Sequence, residues 1–333
     1  MNLKGRSFLT LKDYTKEEIL YLIALAKSLK AKKRRGERDL LLNGKNIVLL
    51  FDKPSTRTRC AFEVAAFDEG ANITFLTNSQ MGKKESLEDT AKVLGRYYDA
   101  IEYRGAKQSV VEQLALHADV PVYNGLTDDD HPTQILADFM CASEHLGKPL
   151  EKMKFVYVGD GRNNMARALM IGAAKIGMRY TISSPKELAP PKELLKELEE
   201  DATLSGAILS YEEDLYKAVL DADVIYTDVW FSMGEEDQME KRISLLKDYQ
   251  VTMKVLEATK NENVIFEHCL PAFHDLNTDV AKQVYEKFGL KEMEVTDEVF
   301  RSKHSVVFDQ AENRMHTIKA IMVATLHSSE LRY

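Results

Sequence analysis

The sequence contains few cysteines, no long apolar run and no excess of basic residues. Its three cysteines, Cys60, Cys141 and Cys269, are widely spaced and form no metal-like pair, a usage typical of a reducing cytoplasm. No apolar run approaches the roughly 20 residues that a membrane span requires, and the first residues lack the apolar stretch of a secretory signal. The formal net charge is −8, with basic residues interspersed among acidic ones, which argues against nucleic acid as the main partner.

Apolar segments of strand length alternate with helical patterns along the 333 residues. This alternation predicts βαβ units and parallel sheets, and the length suffices for two domains. We therefore predict an α/β fold with two domains, residues 1–147 and 151–312, each a parallel β-sheet flanked by helices. A C-terminal helix at about 313–333 is predicted to pack back on the first domain. The predicted strands are 47–51, 72–76, 100–103, 120–124, 154–158, 180–183, 224–228 and 263–268.

The segment Ser55-Thr56-Arg57-Thr58 follows the first predicted strand and precedes a helical pattern. A helix start presents unpaired N–H groups and the positive end of the helix dipole, which together favour an anion. A guanidinium adds bidentate contacts to a phosphate. The segment therefore predicts a phosphate site, and the alternative is a helix N-cap followed by surface arginines.

Two further polar groups follow strands in the first half of the chain. Arg104 comes directly after a predicted strand, and His131-Pro132-Thr133-Gln134 lies between a polar loop and a helix. Ligands of open parallel sheets collect at the carboxyl ends of the strands, so these groups are expected on the same edge as Ser55. There they can hold a phosphate and polarise a carbonyl oxygen. The alternatives are a surface ion pair for Arg104 and a helix-capping or core histidine for His131.

Residues 158–164 in part match the glycine pattern of dinucleotide-binding folds. The third glycine position holds Asn164, and the next strand ends without the acidic residue that would bind a ribose. A nicotinamide enzyme is therefore the less favoured alternative. We predict instead that Asn163 and Asn164 donate to a carboxylate at the start of a helix.

Two loops after strands carry reactive groups in the second half. Asp228 opens a loop that also contains Ser232, and its carboxylate suits a substrate ammonium unless it is a cap or turn residue. Residues 268–275 hold two histidines, Cys269 and an aspartate, which invites a zinc site. No second cysteine or histidine cluster supplies the usual ligand spacing, so no metal is predicted. A nucleophilic Cys269 is a further alternative, although the sequence shows no base for it beyond the neighbouring histidines.

These motifs, taken in order, resemble the transcarbamylases, and more narrowly the ornithine carbamoyltransferases. The resemblance runs nearly end to end, from residue 6 to residue 316. The first-half motifs are shared across the superfamily, and the choice of the second substrate rests on the second half. The resemblance implies two α/β domains in a homotrimer, with carbamoyl phosphate and L-ornithine as substrates. It also implies L-citrulline and phosphate as products and no metal or organic cofactor.

The resemblance also assigns individual residues. Those that match the carbamoyl phosphate contacts are Ser55, Thr56, Arg57, Thr58, Gln80, Arg104, His131, Gln134, Leu270 and Arg314. Gln80 matches a loop that family members insert into a neighbouring subunit's site. Those that match the ornithine contacts are Asn164, Asp228, Ser232, Met233 and Cys269. The residues expected to act in catalysis are Arg104, His131, Asp228 and Cys269.

These residue types suggest how the reaction proceeds and which other functions must be considered. We hypothesise that the δ-amine of ornithine attacks the carbonyl carbon, while Arg104, His131 and Thr58 stabilise the oxyanion.

An aspartate acceptor is disfavoured, because Ala272 stands where aspartate carbamoyltransferases usually have arginine. Putrescine lacks the α-amino and α-carboxylate groups that the Asp228 loop suits. A non-catalytic binding subunit is the rival from another class. The same site serves arginine synthesis or breakdown.

Overall fold

The computed structural model describes residues 1–77, 79–231 and 238–327. The chain divides into two compact units, Met1–Met140 with the chain from Glu312 onward, and Cys141–Ala311. The division falls inside two helices, Pro132–Leu146 and Val307–Leu326. Within the described ranges, no helix has both the length and the apolar character that crossing a membrane requires.

The first unit is built on a four-stranded parallel sheet with the strand order β2-β1-β3-β4. Its strands are β1 (Asn46–Phe51), β2 (Asn72–Thr77), β3 (Ala100–Arg104) and β4 (Val122–Leu126). The helices that alternate with them are α1 (Lys16–Arg34), α2 (Thr56–Asp68), α3 (Leu87–Tyr97), α4 (Gln108–His117) and α5 (Pro132–Leu146).

Side chains from both strands and helices form the first unit's core. Val48, Ile101 and Val122 from three neighbouring strands pack with Leu94 of α3 and Leu114 of α4. Strands this apolar need helices on the sheet faces, because a parallel sheet is buried on both sides. The alternation of strand and helix supplies those helices in sequence order.

The second unit contains a five-stranded parallel sheet with the strand order β7-β6-β5-β8-β9. Its strands are β5 (Lys154–Val158), β6 (Arg179–Ser183), β7 (Ile208–Tyr211), β8 (Val224–Thr227) and β9 (Ile265–His268). Its helices are α6 (Asn164–Ile176), α7 (Lys192–Glu197), α8 (Glu199–Ser205), α9 (Leu215–Ala218), α10 (Met239–Leu246), α11 (Met253–Ala258), α12 (Asp279–Phe288) and α13 (Asp297–Phe300).

The last helix, α14 (Val307–Leu326), packs on the first unit. Lys30 of α1 donates to the Asn313 side chain at 2.7 Å, and Lys319 donates to Asp68 at 2.7 Å. Near its end, the Thr325 hydroxyl lies 2.6 Å from that of Tyr123 on β4. The predicted fold class is confirmed: two parallel β-sheets, each flanked by helices, and a C-terminal helix that packs on the first domain.

Three strands differ from the prediction by more than one residue. β9 begins at Ile265, two residues later than the predicted start at residue 263. β4 begins at Val122, two residues later than predicted, because Pro121 has no N–H to give to a sheet ladder. β7 was not predicted. It is a four-residue strand, Ile208–Tyr211, at the edge of its sheet, and it is only partly buried, so it lacks the apolar run that marks the inner strands.

Candidate active site

The strand order of the first sheet reverses between β1 and β3, which lie side by side although β2 separates them in sequence. In open α/β sheets the crevice for a ligand forms outside the carboxyl ends of the strands at such a reversal. The segment after β1 carries Ser55–Thr58, and β3 ends at Arg104. The topology therefore brings these two predicted groups to one edge of the sheet.

The helix α2 starts within the predicted phosphate-binding segment. Ser55 is its N-cap, and its hydroxyl accepts a hydrogen bond from the Thr58 N–H at 3.3 Å. The N-cap alternative is thus correct for this side chain. It does not exclude an anion, because the start of a helix presents first-turn N–H groups and the positive end of the helix dipole.

Arg314 of α14 is the centre of the polar contacts in the first unit. Its guanidinium donates to Gln134 at 2.6 Å and to the hydroxyls of Thr58 and Thr133 at 3.2 and 3.3 Å. Arg104 donates to the same Thr58 hydroxyl at 3.3 Å. Residues far apart in sequence therefore meet at Thr58, which is almost fully buried.

His131 lies beside Arg314, with its Nε2 at 3.4 Å from Nη1 of the guanidinium. Burial lowers the pKa of His131 well below its usual value, and the charges of Arg314, Arg104 and Arg57 act in the same direction. The imidazole is therefore neutral. Because a guanidinium can only donate, Nε2 accepts and the proton lies on Nδ1. Nδ1 is buried and has no hydrogen-bond partner among the residues that the structure describes.

We call these six residues the arginine cluster: Arg57, Thr58, Arg104, His131, Gln134 and Arg314. The cluster combines guanidinium groups, a hydroxyl and a neutral N–H donor, which together suit an anion with an adjacent carbonyl. Gln134 is held by the carboxylate of Asp138, which accepts from its amide at 2.7 Å. The amide oxygen of Gln134 therefore faces the arginine.

Four residues predicted for the same substrate are not part of the arginine cluster, and two of them, Ser55 and Thr56, lie at the start of α2. Gln80 is exposed in a turn where its carbonyl accepts from the N–H groups of Lys83 and Lys84. In the described part of the chain, no hydrogen bond joins its side chain to the cluster. Leu270 lies in the second unit, where its N–H donates to Nδ1 of His268 at 2.9 Å.

The second sheet has a reversal of its own between β5 and β8. The turn after β5 carries Asn163, and Asp228 follows β8. Asn163 caps α6 by accepting from the Ala166 N–H at 2.8 Å, and its amide donates to Asp228 at 3.2 Å. Asn163 is therefore the asparagine that contacts the carboxylate, while Asn164 is the first residue of the helix.

Cys269 joins this group through strand register. Thr227 of β8 lies opposite His268 of β9, so the residues that follow the two strands are neighbours. The Cys269 thiol donates to Oδ1 of Asp228 at 3.1 Å. A thiol that donates is protonated, which argues against the nucleophile alternative. Burial raises the pKa of Asp228, opposed by the charge of His268 and the hydrogen bond from Cys269.

Sequence analysis missed one member of this group, Tyr157. Its hydroxyl, fully buried at the end of β5, accepts from the Asn163 amide at 2.6 Å. Burial and the charge of Asp228 raise the pKa of Tyr157 well above its usual value. The phenol is therefore neutral, and its oxygen holds the Asn163 amide in place by accepting this hydrogen bond. We call Tyr157, Asn163, Asp228 and Cys269 the Asp228 cluster.

The predicted ornithine contacts Ser232 and Met233 lie outside the described residues. The chain before them is anchored, because Trp230 and Phe231 are buried in an apolar cluster with Leu188 and Met239.

The zinc and dinucleotide alternatives can be compared with the local geometry. Ligand atoms of Asp228, His268 and Cys269 lie within 4.8 Å of one another. However, Nδ1 of His268 accepts a backbone hydrogen bond, and its Nε2 lies 3.3 Å from the buried carboxylate of Glu294. The histidine is thus engaged by the protein itself. Gly161 of the glycine pattern is explained by packing, since an added Cβ would lie 2.8 Å from the Leu188 carbonyl.

Two family models match the chain. Residues 6–144 match the carbamoyl-P binding domain of aspartate/ornithine carbamoyltransferase, and residues 151–325 match the Asp/Orn binding domain of the same family. Together they span most of the sequence, and each covers one of the two parallel sheets.

Individual relatives agree with the family models. The catabolic ornithine carbamoyltransferases of Clostridium perfringens and Bacillus licheniformis are both 60% identical to this chain, over 98% of the chain and 98% of each relative. The solved ornithine carbamoyltransferase of Pyrococcus furiosus is 41% identical, with a TM-score of 0.90 over 99% of this chain and 100% of that one. The anabolic enzyme of Campylobacter jejuni is 34% identical, with a TM-score of 0.84 over 95% and 97%. The chain belongs to the aspartate/ornithine carbamoyltransferase family.

Proposed function

We propose that the chain is an ornithine carbamoyltransferase. It transfers the carbamoyl group of carbamoyl phosphate to the δ-amine of L-ornithine, giving L-citrulline and phosphate in arginine metabolism. The observation that carries this proposal is the chemical contrast between the units. The unit matched by the carbamoyl-P model holds the arginine cluster, and the unit matched by the Asp/Orn model holds a buried carboxylate. The names of relatives at 60% identity support ornithine as the acceptor.

Carbamoyl phosphate binds at the arginine cluster in this proposal. The start of α2, with Ser55, Thr56, Arg57 and Thr58, receives the phosphate, because first-turn N–H groups and a guanidinium both favour an anion. Arg314 adds charge from α14. Gln80 completes the phosphate contacts from a neighbouring subunit, as the family resemblance implies.

The carbamoyl group lies against Arg104, His131 and Gln134. His131 is suited to donate from Nδ1 to the carbonyl oxygen, because that nitrogen is buried and its imidazole is neutral. The carbonyl oxygen gains negative charge as the carbon becomes tetrahedral. Arg104 and the Thr58 hydroxyl are the other donors for that charge. Leu270 is a further proposed contact of carbamoyl phosphate, as the family resemblance implies.

Ornithine binds at the Asp228 cluster, with Asn164, Ser232 and Met233 as further contacts. The carboxylate of Asp228 pairs with a substrate ammonium. Cys269 and Asn163 both donate to Asp228 and so fix its two oxygens in place. An acidic acceptor such as aspartate would instead meet a like charge there. This contrast favours ornithine over aspartate.

The reaction needs the δ-amine in its neutral form, although an alkylammonium has a pKa of about 10.4 in water. Exclusion of water at the site lowers that pKa. The amine nitrogen then forms a bond to the carbonyl carbon, and the bond from this carbon to the phosphate oxygen breaks. The proton that the nitrogen sheds passes to the leaving phosphate, which therefore departs as HPO4²⁻. The cations of the arginine cluster stabilise the phosphate that is released.

We also propose the assembly and the location. Residues 1–147 with the C-terminal helix form the carbamoyl phosphate domain, and residues 151–312 form the ornithine domain of a cytoplasmic homotrimer. Light scattering on the purified protein is expected to give three chain masses. A monomer with full activity would contradict both the trimer and the role of Gln80 across subunits.

The choice of acceptor is tested by one assay. Citrulline formation is expected with ornithine, while kcat/KM with aspartate should be lower by on the order of 1000-fold or more, since an acidic acceptor leaves Asp228 unpaired and repelled. Putrescine lacks both α-substituents and should also be a poor acceptor. Released phosphate, measured in parallel, reports the reaction rate with all three acceptors.

Carbamoyl phosphate without any amine is the control, because it decomposes in water. Release of phosphate at this background rate with every acceptor would favour a non-catalytic binding subunit. A preference for putrescine would move the chain to another carbamoyltransferase specificity.

A further inference from the structure

Glu102 is a buried acid in the middle of β3 that the proposed mechanism does not use. It pairs in register with Leu49 of β1 and Tyr123 of β4, and it has no exposed surface. Both carboxyl oxygens are buried, and neither has a hydrogen-bond partner among the residues described here. A buried polar group without a partner costs stability, so its presence calls for an explanation.

The position of Glu102 relates it directly to the arginine cluster. It lies two residues before Arg104 in the same strand, which places both side chains on one face of the sheet. A Cβ added to Gly125 would lie 1.8 Å from Oε1 of Glu102 and 3.3 Å from the methyl group of Thr58. The carboxyl group therefore lies against Gly125 of β4 and close to Thr58, the threonine on which both Arg104 and Arg314 converge.

The groups that face Glu102 have a simple charge pattern. Arg104 from its own strand and Arg314 from α14 are the charges that act on it, and both favour the carboxylate. Burial acts more strongly in the opposite direction and raises the pKa of Glu102 well above its usual value. Its cross-strand neighbour Tyr123 is titratable, but its hydroxyl is bonded to Thr325. Thr58 on α2 is uncharged.

A dianion bound by Arg104 and Arg314 would change this balance. It adds negative charge to the site and offsets the two positive charges that favour the carboxylate. Both effects make the protonated form of Glu102 more stable when the site is occupied. Binding and protonation are then linked, so each must favour the other.

We propose that Glu102 is the proton acceptor of the phosphate site: it takes up a proton when carbamoyl phosphate or product phosphate binds the arginine cluster. The inference rests on the proposed function and adds a proton to the binding step. It assigns Glu102 as a positioning residue that acts through Arg104 and Arg314, since nothing requires it to touch the substrate.

The sign of the pH dependence follows from linkage. At low pH Glu102 is protonated in both states, and phosphate binding needs no further proton. As the pH rises through the pKa of the unoccupied protein, binding must protonate Glu102 and therefore weakens. The dissociation constant for phosphate rises by up to about tenfold per pH unit, until the pH passes the pKa of the occupied protein.

Isothermal titration of inorganic phosphate into the full chain tests this, from about pH 6 to about pH 9, in buffers of different ionisation enthalpy. The wild type is expected to take up close to one proton more per phosphate than Glu102→Gln within the linked pH window. Glutamine imitates the protonated acid, so the variant should match the wild-type affinity at low pH and exceed it at high pH. Glu69→Gln is the matched control, because Glu69 is a buried acid of the same unit that is paired with the Leu41 N–H and with Lys319.

A purely structural role would weaken phosphate binding of Glu102→Gln at every pH, and this result would overturn the inference. An unchanged proton count in an active Glu102→Gln would also overturn it. If Glu102→Gln does not fold, infrared difference spectra of the wild type replace it. Phosphate should then raise the protonated-carboxyl band, and an unchanged band would overturn the inference. Citrulline formation is measured on the same samples, and an inactive wild type would refute the proposed function instead.

Discussion

Replacement of Arg104 by glutamine is expected to lower kcat by about 100- to 1000-fold. The side chain donates to Thr58 and lies with His131 where the proposed oxyanion forms. Glutamine can still donate a hydrogen bond but supplies no charge to the tetrahedral intermediate. Because that charge exists only in the transition state, the effect should fall more on kcat than on the KM for carbamoyl phosphate. Steady-state citrulline assays separate the two constants.

Arg34→Gln is the matched control for this prediction. Arg34 belongs to the same unit, but it is exposed and its guanidinium forms a 3.4 Å surface pair with Glu312. Surface pairs of this kind contribute little, so its kcat should stay within about twofold of the wild type. Equal rates for the Arg104 and Arg34 variants would remove Arg104 from the catalytic residues.

Replacement of Asp228 by asparagine is expected to lower kcat/KM for ornithine by about 100- to 1000-fold, the usual effect of removing one partner from a buried charge pair. The shape is preserved and the charge is lost. Asparagine would also place an amide against two donors, the Cys269 thiol and the Asn163 amide. The KM for carbamoyl phosphate should change little, since that substrate is assigned to the other cluster.

The pH profile gives this prediction a second measurement. Burial raises the pKa of Asp228, so the carboxylate that ornithine needs is lost, as the pH falls, earlier than for an ordinary aspartate. Protonation of the δ-amine lowers kcat/KM for ornithine in both proteins as the pH falls. The wild type should show a second, steeper acid limb from Asp228, and Asp228→Asn should lack this second limb. Asp279→Asn, at an almost fully exposed site in the same unit, is the control and should keep both the rate and the limb. An Asp228 variant with the wild-type profile would contradict the assignment.

The fold could be predicted from the sequence wherever burial imposes an apolar run. β5 has the predicted bounds, because Lys154–Val158 is apolar and is ended by glycine. β7 could not be found in this way, since an edge strand faces solvent and does not need to be apolar. Sequence patterns therefore predict the strands that are buried inside a sheet and can miss a strand at its edge.

The candidate site could be predicted where its residues follow strands. Arg104, Asp228 and Cys269 all stand directly at a strand end, and the parallel topology brings such positions to one edge of each sheet. Tyr157 and Glu102 were missed because they lie inside strands, and a sequence pattern assigns every residue of a buried strand to the packed core. Only the packed structure shows which buried polar groups share a face.

The central position of Arg314 has a consequence for how the protein is made. It donates to Thr58, 256 residues earlier in the chain, and to Gln134, 180 residues earlier. All four strands of the first unit are therefore translated before Arg314. At that stage the chain still lacks the guanidinium on which the polar contacts of this unit converge. Products of premature termination retain the strands but not this residue. The contribution of Arg314 to the arginine cluster is therefore acquired only when translation reaches the last helix.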